Sequence, residues 1–146
     1  MTAGSHDVDR NTGARTINQT VALVFGAIYT LVAVIGFFVA KTFATNDSKN
    51  GDILGLFQVN HLHNLVHLLI GVALIAASRR HDSARGANLA VGATYVLVGI
   101  IGLFVIDKSI NILSVNGADN GLHLLSGAAL LGTALLADKA RSRSNA

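Results

Sequence analysis

The chain has 146 residues, 51% of them hydrophobic and 13% charged, with a formal net charge of +3 and a mean hydropathy of +0.54. Ordinary soluble domains are about 25% charged, and a globule of this length has too small an interior to hide so much apolar surface, which rules out disorder and argues for a membrane protein. The absence of Cys excludes disulfide scaffolds, thiol catalysis and thiolate-held metals or clusters.

Residues 1–17 are polar, include His6, and read as a mobile cytoplasmic tail. The first apolar segment, from about Val21 to Ala40, has no charge and the length of about 20 residues that a bilayer span needs. Its position behind a polar stretch marks a retained anchor rather than a cleaved signal. The second segment, from about Ile53 to Ala77, has no Lys or Arg but carries three His and two Asn. The third, from about Leu89 to Ile106, is uncharged, and the fourth, from about Gly121 to Ala137, holds His123. Residues 138–146 form a basic cytoplasmic end. The expected fold is therefore all-α, an integral membrane four-helix bundle over 18–137 with no room for a second domain.

Lys and Arg orient the spans. Arg10, Arg15, Arg79, Arg80, Arg85, Lys139, Arg141 and Arg143 fall on one side, against Lys41, Lys49 and Lys108 on the other. Eight against three places both termini in the cytoplasm and the chain in the inner (plasma) membrane. The basic balance is thus a topology signal, and no aromatic stacking set points to nucleic acid.

The two halves repeat. Gly26-Ala27-Ile28-Tyr29 matches Gly92-Ala93-Thr94-Tyr95, and Phe38-Val39 matches Phe104-Val105. Val59-Asn60, Asn64 and His67-Leu68-Leu69 match Val115-Asn116, Asn120 and His123-Leu124-Leu125. Each repeat holds two spans, so the repeats are parallel and related by a pseudo-two-fold axis along the membrane normal, with the second and fourth helices expected to face each other. Gly26, Gly36, Gly71, Gly92, Gly102 and Gly127 mark expected close helix contacts.

The second segment carries Asn60, His63, Asn64, His67 and Gly71 on one helical face, and the fourth carries Asn116, Asp119, Asn120, His123 and Gly127. Polar groups at membrane depth face a bundle interior or a cavity. The pattern Val-Asn-x-x-His-Asn-x-x-His-Leu-x-x-Gly at 59–71, repeated with Asp for the first His at 115–127, resembles a family of small four-span membrane proteins known mainly from actinobacteria and catalogued as a domain of unknown function. The resemblance covers residues 18–137 and implies a four-helix membrane fold without an assigned activity.

Four readings of the stripe compete. In the first, Asn60, Asn64, Asn116 and Asn120 form a buried hydrogen-bonding network in a non-catalytic accessory or interaction protein. The second makes His63, His67, Asp119 and His123 a site for zinc or another divalent ion, with Asn64 and Asn120 in support; opened to outer water, it would suit a metal-dependent hydrolase. A third places haem b between His67 and His123, against which stands the lack of interior Arg or Lys for the propionates. Proton movement is the fourth, and there the stripe stops near mid-membrane. The expected partners are the lipid bilayer and a second copy or a membrane-complex subunit. His61 lies off the stripe, His81 reads as part of a cytoplasmic loop, and Tyr29 and Tyr95 read as packing groups.

Overall fold

A computed structural model describes residues 14–45 and 50–138. Most of the expected tail sequence, with Arg10, His6, Lys139, Arg141 and Arg143, falls outside the described residues, as does Lys49; within them the tail reading of 1–17 and 138–146 is corrected, because Thr16 caps the first helix, Ile17 begins it and Asp138 bonds to Asn18. Four helices and one small hairpin follow in the order α1 (Ile17–Val39), β1 (Gly51–Ile53), β2 (Phe57–Val59), α2 (His61–Ala77), α3 (His81–Val105) and α4 (Gly117–Leu136).

Local chemistry sets the helix starts. Thr16 accepts from the Gln19 backbone N–H at 3.3 Å, and the Gln19 side chain accepts from the Thr16 N–H at 3.0 Å. Asn116 and Asp119 make the same reciprocal pair at the head of α4, both bonds 3.0 Å. Each pair satisfies two of the amide donors that a helix start leaves without a partner. Asn60 caps α2 by accepting from the His63 N–H at 2.8 Å.

Two expected boundaries are corrected. The apolar window 53–77 is not one helix: its first residues form a β-strand ending and a turn, and α2 begins only at His61. Leu54 and Gly55 both have positive φ, 58° and 69°, in a three-residue loop that the Leu56 N–H closes on the Ile53 carbonyl at 3.1 Å. The hairpin pairs Gly51 with Val59 and Ile53 with Phe57, and it takes up the extra length of the first connection. The third helix starts at His81, not Leu89; its charged first turns are helical but too polar to register as a span.

Helices α1 and α3 are long and apolar enough to cross a membrane, while α2 is a shorter apolar helix of 17 residues. The polarity of the four-helix body is inverted relative to a water-soluble bundle. Asn18, Asn64, Asn88 and Asn120 are fully buried, whereas the repeat-related Phe38 and Phe104 are 86% and 74% exposed.

The duplication is visible in the packing. A Cβ at Gly26 would lie 2.8 Å from the Gly71 carbonyl oxygen, and one at Gly92 would lie 3.0 Å from that of Gly127. Each half thus brings its two helices together backbone to backbone at an equivalent glycine pair. Between the halves, α1 and α3 share the most extensive contact, while the α2 and α4 backbones scarcely meet. The expected facing of α2 and α4 is therefore realised by side chains alone.

A polar seam ties the helix ends on the side where α1 and α3 begin. Asp138 accepts from the Ile17 and Asn18 backbone N–H groups and from the Asn18 amide, at 3.4, 3.1 and 3.0 Å. The Asn88 amide donates to Asn18, and Gln19 donates to the Ser78 carbonyl at 3.0 Å. Arg85 donates to the Ala134 carbonyl at 2.9 Å. His81, expected in a loop, is the first residue of α3 and lies 3.0 Å from the Thr16 hydroxyl.

Candidate functional site

His63 and His67 stand one helical turn apart on α2, and α4 brings His123 against them. The ring centroids of His63 and His67 are 4.7 Å apart; His123 lies 5.8 Å from the first and 5.9 Å from the second. One ring nitrogen from each of the three falls within 4.8 Å of the others. All three are buried. The duplication explains this: residues 67 and 123 are repeat mates, so the pseudo-two-fold delivers their rings to one place, and His63 joins from the same face of α2.

Asp119, the repeat mate of His63, does not join the group. Its carboxylate is turned back to the Asn116 N–H in the capping pair, so the expected four-residue set contracts to three imidazoles. Both members of that pair sit at the third position of a helix, and the aspartate is drawn to its own helix start where the histidine is not.

The expected asparagine network divides into two kinds. Asn60 and Asn116 are helix caps that also fasten the loops: Asn60 donates to the Ile112 carbonyl at 2.7 Å and Asn116 to that of Leu56 at 2.8 Å. Asn116 is only half-buried. Asn64 and Asn120 are fully buried, and neither side-chain atom of either has a hydrogen-bond partner. Instead each amide lies against a repeat-related glycine. A Cβ at Gly36 would collide with the Asn64 amide, and one at Gly102 with that of Asn120; in both, the amide oxygen is the closest atom. A glycine Cα–H therefore points at each oxygen, a weak contact seen at helix interfaces. Gly36 and Gly102 thus make room for a side chain, whereas the Gly26–Gly71 and Gly92–Gly127 pairs bring backbones together.

Tyr95, read from the sequence as a packing group, has a role at the cluster. Its hydroxyl lies 3.2 Å from His67 Nδ1, and its ring meets the His123 ring edge-on at 5.0 Å. Its repeat mate Tyr29 packs on Tyr95 at 5.1 Å and on His67 at 5.4 Å. The signal was present in the sequence: Tyr95 shares a helical face with Gly92, Gly99 and Gly102, the buried face of α3.

Hydrogen positions follow from the heavy atoms. His63 Nε2 and His67 Nε2 are 2.9 Å apart, so one must carry a proton and the other a lone pair. If His67 Nδ1–H donates to Tyr95, then His67 Nε2 is the acceptor and faces the cluster with its lone pair. His123 Nδ1 is buried without a partner. Leaving a buried polar atom unpaired costs about 1–3 kcal/mol, so the arrangement holds unspent capacity to bind.

Behind the histidines the interior turns apolar. Leu74 and Leu130, again repeat mates, and Ala22 and Ala84 are fully buried. Ser126, one turn beyond His123, returns its hydroxyl to the Leu122 and His123 carbonyls, and a second polar layer forms at the Asn18–Asn88 seam. The haem reading meets a packed site: five aromatic rings, those of His63, His67, His123, Tyr29 and Tyr95, stand 4.7–6.0 Å from their neighbours, and a porphyrin would require the helices to part.

Among known proteins, a family model described as a domain of unknown function (DUF4383) matches residues 19–136. No curated protein and no solved structure matches the chain.

Proposed function

The chain belongs to the DUF4383 family, a domain of unknown function, and from that premise we propose that it is a small, non-catalytic integral membrane protein that holds a transition-metal ion on His63, His67 and His123. The observation that carries the reading is the convergence of three buried imidazoles from two helices, their nitrogens within 4.8 Å of one another. Imidazole is a common ligand of zinc, copper, iron and nickel. A structural role for the same residues would need each ring satisfied by its neighbours, and His123 Nδ1 is not.

Membrane residence is part of the proposal. It is supported by two helices of spanning length and apolarity, by the apolar residues exposed along all four, and by the eight-to-three charge asymmetry that directs both termini to the cytoplasm. In this frame α2 and α4 cross with them. The metal site then lies within about two helical turns of the hairpin end of α2, since His67 is the seventh residue of that helix.

The test is elemental analysis of the full chain purified in detergent and reloaded with a panel of first-row transition ions. About one ion per chain is expected, and His67→Ala should lose it while keeping its helicity. Wild-type protein that stays metal-free after reloading overturns the reading.

A further inference from the structure

We infer that the ion this site selects is monovalent copper, Cu(I), in a three-nitrogen setting, in preference to Zn(II) or another divalent ion. The inference rests on the metal reading above and adds the charge and coordination number of the occupant.

The donor set is neutral. Among the described residues no carboxylate joins the three imidazoles, the chain has no Cys, and Asp119 is committed to the α4 cap. A bound ion would keep its full charge. His63, His67 and His123 are 3%, 8% and 6% exposed, so that charge would sit out of water. The cost of such burial grows with the square of the charge, so a divalent ion loses about four times as much hydration as a monovalent ion of equal size. Imidazole donors recover part of that loss but cancel none of the charge.

The start of α2 pushes the same way. His63 is the third residue of α2, and His123 is the seventh of α4. His63 alone lies in a first turn, where the positive end of α2 disfavours added positive charge; the effect fades before His67 and His123. Asp119 offsets the same field at the head of α4.

Coordination number is the third argument. Zinc is almost always four-coordinate, and a three-ligand zinc site keeps a water in the fourth position. Here the three imidazoles are packed by the Tyr29 and Tyr95 rings, and the nearby Ser126 hydroxyl is spent on the backbone of its own helix. Cu(I), a closed-shell ion, is satisfied by two or three donors and needs no water. Tyr95 supports the arrangement by engaging His67 Nδ1: with Nδ1–H donating to the hydroxyl, Nε2 is left to bind the ion, and an outer partner of this kind fixes tautomer and ring orientation.

The experiment is an anaerobic titration of the full chain in detergent with Cu(I), in competition with a chromophoric Cu(I) chelator, beside titrations with Zn(II) and Co(II). One Cu(I) per chain is expected, bound about 100-fold more tightly than Zn(II), with an X-ray absorption spectrum of three nitrogen neighbours and no tetrahedral Co(II) bands. Asp119→Asn should leave Cu(I) affinity within a factor of about three, because that carboxylate is not a ligand, while His123→Ala should lose it. The Asp119 variant and the spectrum keep the test valid if His123→Ala fails to fold. Zn(II) binding as tight as Cu(I), or a large loss in Asp119→Asn, overturns the monovalent assignment and leaves the metal reading standing. Failure of every ion to bind overturns both.

Discussion

Asn64 and Asn120 pose the sharpest problem at the scale of single residues. Each buries an amide without a hydrogen-bond partner, and each needs a glycine opposite. Overpacking a tight interface costs about 1–3 kcal/mol, so Gly36→Ala should lower stability by roughly that amount. The strain falls first on the Asn64 side chain, because the three atoms nearest the new methyl belong to it. The double variant Gly36→Ala/Asn64→Ala should therefore recover most of the loss, a coupling that thermal melts of the four proteins of a double-mutant cycle would measure. Additive losses would mean that the glycine answers to backbone approach instead. Asn64→Ala alone should cost little, because it removes an amide that nothing satisfies.

Tyr95 permits a second prediction at this scale, with a different readout. If its hydroxyl fixes the His67 tautomer, Tyr95→Phe should weaken metal binding about tenfold while preserving stoichiometry and fold. Equilibrium competition with a chelator reads the affinity, and circular dichroism the fold. Unchanged affinity would reduce Tyr95 to the packing role that the sequence alone suggested. That suggestion illustrates what spacing can and cannot deliver. The repeat at Tyr29 and Tyr95 put both on inward faces, but which hydroxyl reaches an imidazole depends on how two halves dock, and no periodicity encodes that.

Among the elements, the helix ends decide more than the spans. The start of α1 is held by the Thr16–Gln19 pair from within and by Asp138 from the far end of the chain. Burial raises the Asp138 carboxyl, but hydrogen bonds from the Asn18 backbone and side chain and from Ile17, with His81 nearby, together bring it below its ordinary value. A carboxylate depressed on folding contributes stability that is fully present above its unfolded value and lost as pH falls through the folded one. Asp138→Asn should therefore lower stability near neutral pH, because the neutral amide loses the charge that the α1 amides and His81 favour. The gap from wild type should close below about pH 4, where the aspartate is itself neutral in the unfolded chain. Melts across pH would show it, and a gap independent of pH would assign the loss to geometry.

The same ends explain where sequence reading succeeded. Four helices were legible from hydropathy, and in the second and fourth the i, i+3, i+4, i+7 polar stripe agreed with it. The start of α2 was not, because Ile53–Val59 is as apolar as the helix that follows; its extended form comes from the Leu54–Gly55 turn and from docking, as when the Asn116 amide reaches the Leu56 carbonyl. The head of α4 carried its signal openly, an Asn followed three residues later by Asp, which also removes Asp119 from any metal set. Of the candidate site, the three histidines were legible from the duplication. The exclusion of Asp119 was not read, because repeat alignment treats it as an equivalent of His63.

For the molecule as a whole, the ordering of polarity is the governing fact. Its interior holds asparagines and histidines at the hairpin end, a seal of Leu74, Leu130, Ala22 and Ala84, and a second polar layer at Asn18 and Asn88. The outer faces expose Phe38, Phe104 and Leu125. In water this arrangement would expose apolar faces that should be buried; in lipid that cost disappears, and polar side chains in a membrane turn toward the bundle interior. In the proposed membrane setting, two parallel repeats put the start of α1, the end of α4 and the α2–α3 turn on one side, with the hairpin on the other. The absence of native Cys makes this directly measurable. Single cysteines at exposed Leu56 in the hairpin and at exposed Arg80 in the α2–α3 turn should respond oppositely to a membrane-impermeant thiol reagent. Leu56→Cys should label in intact cells, and Arg80→Cys only after permeabilisation. Equal labelling of both in intact cells would contradict a fixed transmembrane orientation, and the reverse pattern would invert the topology, placing the histidine cluster nearer the cytoplasm.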